Sequence, residues 1–170
     1  MRPGYEKFNA AILTISDRGS RGERQDLSGP ALKEKLVNTG DFTIVREQIV
    51  SDEPAEIETV LKQWSDKDQV DLILTTGGTG FSPRDLAPEA TTAVIERQAP
   101  GFAEVMRAES LKITPHAMIS RAVSGIRKST LIINFPGSPK AARECLEIVL
   151  PALSHALQKL AGDPSDCGGS

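Results

Sequence analysis

The 170-residue sequence predicts an α/β domain: a doubly wound, mostly parallel sheet with helices on both faces. Three observations carry that expectation. The runs FNAAILTIS (8–16), VDLILTT (70–76) and STLIINF (129–135) have strand length and are apolar enough to be covered on both faces. Segments of helical periodicity separate the strands, which implies right-handed crossovers and parallel pairing. Small-residue turns follow these strands, as at strand-to-helix turns in open α/β sheets.

The elements follow in order. After the first strand, DRGSRGERQDLSGP (17–30) reads as a loop. Ser28, with Pro30 two residues on, marks a helix start: a hydroxyl cap, then a proline in the first turn. That helix ends at Gly40, a natural C-terminal stop. FTIVREQIV (42–50) alternates as a half-exposed strand does. Asp52 is placed to cap the next helix, where Ile57, Val60, Leu61 and Trp64 form one apolar stripe. Trp64 is read as core packing. Pro88 opens PEATTAVIERQ, and GFAEVMRAESLKI is helical. Ser138 and Pro139 start the last helix, with Leu146, Val149, Leu150, Leu153, Leu157 and Leu160 along one side. Pro151 is expected to break or kink it. One domain over residues 1–162 and a flexible tail over 163–170 complete the layout.

Composition narrows the function. Hydrophobic residues make up 39% and charged residues 25%, the balance of a folded globular chain. No apolar run approaches the ~20 residues of a membrane helix, and MRPGYEKFNAAIL lacks a secretory layout. Cys145 falls in a helical pattern and Cys167 in the tail, without metal-ligand spacing. These features predict a cytoplasmic, disulfide-free protein with no membrane contact. A net charge of −3 with scattered basic residues predicts no nucleic-acid partner. Aromatics at 4% supply no stacking platform. His116 and His155 are isolated, and no Ser/His/Asp or Cys/His grouping offers a covalent nucleophile.

The chemistry gathers at LTTGGTGFSPRD (74–85). A glycine loop leaving a parallel strand can present free N–H groups to a phosphate. It is not a P-loop, because no lysine follows the glycines, and not G-x-G-x-x-G, because Pro83 occupies the last position. By composition it fits a turn needing positive φ as well as it fits an anion site. INFPGSPKA (133–141) repeats the strand–turn–helix layout, and SDRGSRGERQDLSG follows strand one. Three such loops at one sheet edge suit an extended, polyphosphate-like ligand. Asp52 and Asp85 stand beside them. Each alone has an ordinary explanation, a helix cap for Asp52 and an ion pair with a neighbouring arginine for Asp85. Together they suit a magnesium ion, which takes one or two carboxylates plus phosphate oxygens.

The motifs ILTISDRGS…DLSGP, SDEP, LILTTGGTGFSPRDLAPEAT, PGF, ISRAVSGIRKSTLIINFPGSPKA and ECLEIVLPALSHAL span roughly residues 8–160. Together they resemble the molybdopterin adenylyltransferase family, the bacterial Mog/MoaB group, also represented by the G domain of gephyrin. The resemblance implies a doubly wound α/β fold and a homotrimer. It implies transfer of AMP from ATP to the terminal phosphate of molybdopterin, with magnesium, and hand-over to a molybdate-insertion enzyme. It makes Asp52 and Asp85 the catalytic, metal-associated pair. Gly77, Gly78, Thr79 and Gly80, with Ser82 and Arg84, would line the nucleotide site. Asn134, Pro136, Gly137 and Ser138 would form a second loop facing a phosphate. Arg84, Lys140 or Arg18 would offset phosphate charge. Ala87 replaces a threonine common in the family, and Phe135 a leucine or methionine. Two other functions are compatible with the family: a non-catalytic molybdopterin-binding scaffold, and a nucleotide pyrophosphatase.

Overall fold

The computed structural model describes residues 7–164. Cys167 and most of the expected tail lie outside them. Six strands form one sheet in the order β2-β1-β3-β6-β5-β4. β1 (Phe8–Ile15), β2 (Phe42–Val50), β3 (Leu72–Thr76) and β6 (Thr130–Phe135) are parallel; β5 (Ser124–Arg127) and β4 (Arg97–Gln98) add an antiparallel edge.

The apolar strands are buried on both faces because their alternate side chains feed two cores. Phe8, Ala10, Ile12, Leu72, Leu74, Leu131, Ile133 and Phe135 meet α2 (Ser28–Asn38), α5 (Gly101–Leu111) and α6 (Pro139–Leu160). Ala11, Leu13, Ile15, Ile73 and Ile132 meet α3 (Pro54–Asp66) and α4 (Ala87–Val94) on the other side. The stripe Ile57, Val60, Leu61 and Trp64 is buried there as expected. Phe135 is fully enclosed, which fits an apolar exchange at that position.

The chain runs from β1 outward to β2, then back across β1 to β3. This reversal opens a crevice at the carboxyl ends of β1 and β3, the usual ligand position in such sheets. Register brings the turns level: Thr14 pairs with Thr76, and Thr76 with Phe135.

Several local expectations change. The stretch 17–30 contains a one-turn helix, α1 (Asp17–Ser20), whose Gly19 N–H donates to the Ser16 hydroxyl at 3.0 Å. Ser28 is the first residue of α2 rather than its cap. The carboxylate of Asp26 takes that role, accepting from the Ser28 and Gly29 N–H groups at 3.1 and 3.0 Å. A carboxylate outcompetes a hydroxyl at the positive end of a helix. Pro151 does not break α6, which runs unbroken past it. Pro151 lies on the exposed face, so the carbonyl it leaves unbonded faces solvent. The segment 88–98 leaves its helix at Val94 and forms β4.

Arg127 ties the antiparallel edge to the helices. Its guanidinium donates to both Asp66 carboxylate oxygens at 3.0 and 2.7 Å and to the Val94 carbonyl at 2.9 Å. That fork, opposed by partial burial and aided by Lys128, brings the Asp66 carboxyl from its ordinary 3.8 down to about 2. A depressed carboxyl stabilises the fold above its unfolded value and ceases to do so as pH falls toward the folded one. Acid unfolding followed by circular dichroism should therefore show a loss of stability between pH 4 and 2. Arg127→Met should remove that component and lower stability at neutral pH by about 1–3 kcal/mol. An unchanged acid limb in the variant would refute the assignment.

Candidate active site

Two backbone turns form the floor of the crevice. Gly77 follows β3 with φ +100°, and its N–H donates to the Phe135 carbonyl at 3.1 Å. A Cβ at Gly77 would lie 2.3 Å from the Ile15 carbonyl oxygen, so no side chain fits. The Thr76 hydroxyl donates to the Pro136 carbonyl at 2.8 Å, and a Cβ at Gly137 would come within 3.2 Å of Gly77 Cα. The glycine loop and the Pro136–Ser138 turn thus pack main chain against main chain.

These turns form a wall between two cavities. The first, of about 390 Å³, is lined by Gly77, Gly78, Gly137 and Ser138 and reaches Asp52 and Asp85. The second, of about 370 Å³, is lined by Thr79, Gly80, Pro136 and Ser138 and by apolar side chains of α5. Ser138, capping α6 through the Ala141 N–H at 3.4 Å, borders both. Among the described residues, the N–H groups of Gly78, Thr79 and Gly80 meet no acceptor. Polar main-chain groups of this kind in a crevice are fitted to bind an anion.

Asp52 and Asp85 enter the same cavity from different elements. Asp52 is not a helix cap. Its carboxylate accepts the Asp17 N–H at 2.7 Å, and its own N–H donates to the Asp17 carboxylate at 3.0 Å. This reciprocal pair locks the turn after β1 to the turn after β2. The other Asp52 oxygen lies where a Cβ on Gly78 would be 3.1 Å away. Burial, reinforced by the charges of Asp17 and Asp85, pushes the Asp52 carboxyl above the ordinary aspartate value. Asp85 closes the Ser82–Asp85 turn, its carboxylate accepting the Ser82 N–H at 2.9 Å. Among the described residues its carboxylate forms no ion pair; the neighbouring Arg84 turns elsewhere.

Arg84 forks onto both oxygens of Asp17 at 3.0 and 2.9 Å and reaches Glu53 at 2.6 Å. The Arg84 guanidinium, with the Asp52 N–H second, holds the Asp17 carboxyl below its ordinary value. Arg84 is therefore an interlock between three turns in this structure rather than a cation facing the cleft. Lys140 extends into solvent beside Glu144, and Arg18 is exposed. The arginine among the residues lining the cleft is Arg24, itself exposed.

Asn134 does not face the cleft. It is fully buried, its amide donating to the Thr75 and Thr91 hydroxyls at 2.8 Å each and its carbonyl accepting the Val123 N–H at 3.2 Å. It is a strut joining β6 to β3 and α4. Ser82 lies on the exposed turn, outside the lining of both cavities. Sequence reading missed Asp17, Arg24 and Asp26. Asp26, which also accepts from the Thr14 hydroxyl at 2.6 Å, could have been found as an Asp two residues before a helix start.

The charged lining of the first cavity is three carboxylates, Asp26, Asp52 and Asp85, against one guanidinium, Arg24. A polyphosphate would meet net repulsion there, so a divalent cation fits the site. Asp26 is saturated by its helix and Thr14, so Asp52 and Asp85 are the carboxylates that could hold such a cation. Among the described residues no cluster of three His, Cys, Asp or Glu side chains could by itself hold a metal ion. No helix among them is long and apolar enough to cross a membrane.

Comparison with known proteins places this arrangement in a family. The family model described as "Probable molybdopterin binding domain" matches residues 11–155. A molybdopterin adenylyltransferase of Helicobacter pylori (strain J99) is 45% identical over 162 residues, covering 93% of this chain and 90% of the relative. The molybdopterin adenylyltransferase of Escherichia coli (strain K12) is 46% identical over 143 residues, covering 83% and 73%. The crystal structure of the molybdopterin biosynthesis enzyme MoaB from Thermus thermophilus superposes with a TM-score of 0.87 at 52% identity, covering 94% of this chain and 99% of that one. Level turns at a sheet reversal, two cavities parted by glycine and a pair of convergent aspartates are thus the local features of a chain that belongs to the molybdopterin-binding domain family.

Proposed function

We propose that this protein transfers AMP from ATP to the terminal phosphate of molybdopterin, a step of molybdenum cofactor biosynthesis. The observation that carries the reading is the wall of Gly77–Gly80 and Pro136–Ser138, with a cavity on each side and Asp52 and Asp85 on one of them. Two substrates can approach one line of main-chain donors from opposite sides. The names of the relatives support the same reaction.

A phosphate-monoester oxygen of molybdopterin attacks the α-phosphorus of ATP. The bond from that phosphorus to the bridging oxygen of the β-phosphate breaks, and pyrophosphate leaves with the electron pair. The nucleophile is already ionised near neutral pH, so no side-chain base is required. The protein's task is placement and charge. The Gly78, Thr79 and Gly80 N–H groups and the α6 N-terminus at Ser138 orient phosphate oxygens. Arg24 adds a cation at the rim. Asp52 and Asp85 are the residues that would hold magnesium, which supplies positive charge to phosphate oxygens when bound.

The exposed apolar side chains Leu111 and Met118 support assembly with further copies of the chain, a homotrimer in this proposal. Cytoplasmic residence and delivery of the product to a molybdate-insertion enzyme complete the proposal. Incubation with ATP, magnesium and molybdopterin should yield adenylylated molybdopterin and one pyrophosphate per turnover. Molybdopterin binding without pyrophosphate release would instead establish a scaffold. Pyrophosphate release from ATP without molybdopterin would establish a pyrophosphatase.

A further inference from the structure

Arg121 lies three residues before β5 and lines neither of the two cavities at the wall, yet its bonds end on the loop that carries Asp85. Its N–H donates to the Thr79 carbonyl at 2.9 Å and its Nε to the Gly80 carbonyl at 2.8 Å. One terminal nitrogen donates to the Asp85 carbonyl and the other to the Glu89 carboxylate. Arg121 itself is anchored, because the Arg107 guanidinium holds the next carbonyl, that of Ala122, at 2.8 Å.

The loop needs such a tether. Residues 81–84 are all exposed, so burial does not fix the turn. Three carbonyl oxygens, at Thr79, Gly80 and Asp85, are instead drawn toward one arginine outside the first cavity. Carbonyl oxygens repel a phosphate, so holding them there leaves the N–H side of the loop for the ligand. A guanidinium suits this role because its rigid fork bonds several oxygens at once, which an ammonium cannot do.

We propose that Arg121 is a positioning residue for adenylyl transfer: by fixing the main chain at Gly80 and Asp85 it aims the Asp85 carboxylate into the cleft without touching substrate. The inference rests on the transferase reading above. A displacement of about 1 Å at a reacting centre can cost 100-fold in rate.

The test compares wild type with Arg121→Ala, Arg121→Lys and Glu89→Gln, below the melting temperature of each. Adenylate formation gives kcat and KM. Manganese titration with a non-hydrolysable ATP analogue, followed by electron paramagnetic resonance, reports the cation site without turnover. Arg121→Ala should lower kcat by about 10- to 100-fold, with the KM for molybdopterin near wild type and manganese bound several-fold more weakly. Arg121→Lys should fall between Arg121→Ala and wild type. Glu89→Gln, which leaves the carbonyl contacts in place, should stay near wild type. Unchanged kcat and manganese affinity in Arg121→Ala, with only a lower melting temperature, would overturn the proposal. So would full activity and full manganese binding in Arg121→Lys. A wild-type protein that forms no adenylate would reject the transferase reading alone, and the manganese series would still decide the role of Arg121.

Discussion

Asp85→Asn and Asp52→Asn should each slow adenylate formation by about 100-fold or more while leaving molybdopterin affinity within a few-fold. Both substitutions preserve shape and remove one charge. At Asp52 an amide oxygen can still accept the Asp17 N–H, so the lock between the turns after β1 and β2 survives. At Asp85 the Ser82 N–H can still be satisfied. What disappears is half the negative charge available to a cation between them. A unit charge about 4 Å away is worth about 4 kcal/mol at an effective dielectric of 20, and 100-fold in rate needs only about 2.7 kcal/mol. The electrostatic loss is therefore large enough to produce the effect. Asp17 supplies the comparison: its charge is already matched by Arg84, so Asp17→Asn should reduce the rate less than either cleft substitution. Single-turnover adenylate formation with an independent molybdopterin binding assay separates the two quantities. Near-normal turnover in both cleft variants would remove the cation role from this pair.

The sequence made the frame of this site readable and left its wiring hidden, for a physical reason. Continuous apolar runs at 70–76 and 129–135 marked buried parallel strands, and the turns after them marked the ligand edge. Asp52 and Asp85 stood out because each directly follows a strand or closes a loop. β5 escaped notice because its hairpin to β6 turns at Lys128, with φ +51°, where glycine or asparagine would normally announce the turn. β4 has two residues, too few to show any period. Arg84 and Asn134 carry the same lesson in side chains. Chain position put both beside a glycine-containing turn at the crevice, yet Arg84 joins Asp17 to Glu53 and Asn134 braces Thr75 against Thr91. Partners 31 to 67 residues apart, as for Arg84, are fixed by tertiary packing and leave no local pattern. Asp26 replaced Ser28 as the α2 cap because two donors and the helix dipole favour a carboxylate, a competition that neighbouring candidates do not resolve by spacing alone.

Gly77→Ala should be the most damaging single methyl in the molecule, and a short alanine series can say why. Two separate penalties meet at this residue. The φ of +100° is one that L-residues avoid, which costs about 1–2 kcal/mol. The added Cβ would also sit 2.3 Å from the Ile15 carbonyl oxygen, a main-chain atom of β1 with no rotamer to change. Relief requires β1 and β3 to separate at the carboxyl edge, where Thr14 and Thr76 are paired in register. Gly40→Ala carries the first penalty without the second: φ is +83° and nothing lies within 4 Å of the new Cβ. Gly137→Ala carries only a mild form of the second, a 3.2 Å approach to Gly77 Cα. Gly40→Ala should therefore cost about 1 kcal/mol, roughly 2–4 °C in melting temperature for a domain of this size, with ATP binding intact. Gly137→Ala should barely move the melting temperature and should weaken ATP binding, because the two turns must part slightly. Gly77→Ala should lower the melting temperature by at least about 5 °C and abolish measurable ATP binding. If Gly77→Ala matched Gly40→Ala in both readouts, the main-chain contact between β1 and the glycine loop would carry no weight, and the close packing of the turns could not be what shapes the cleft.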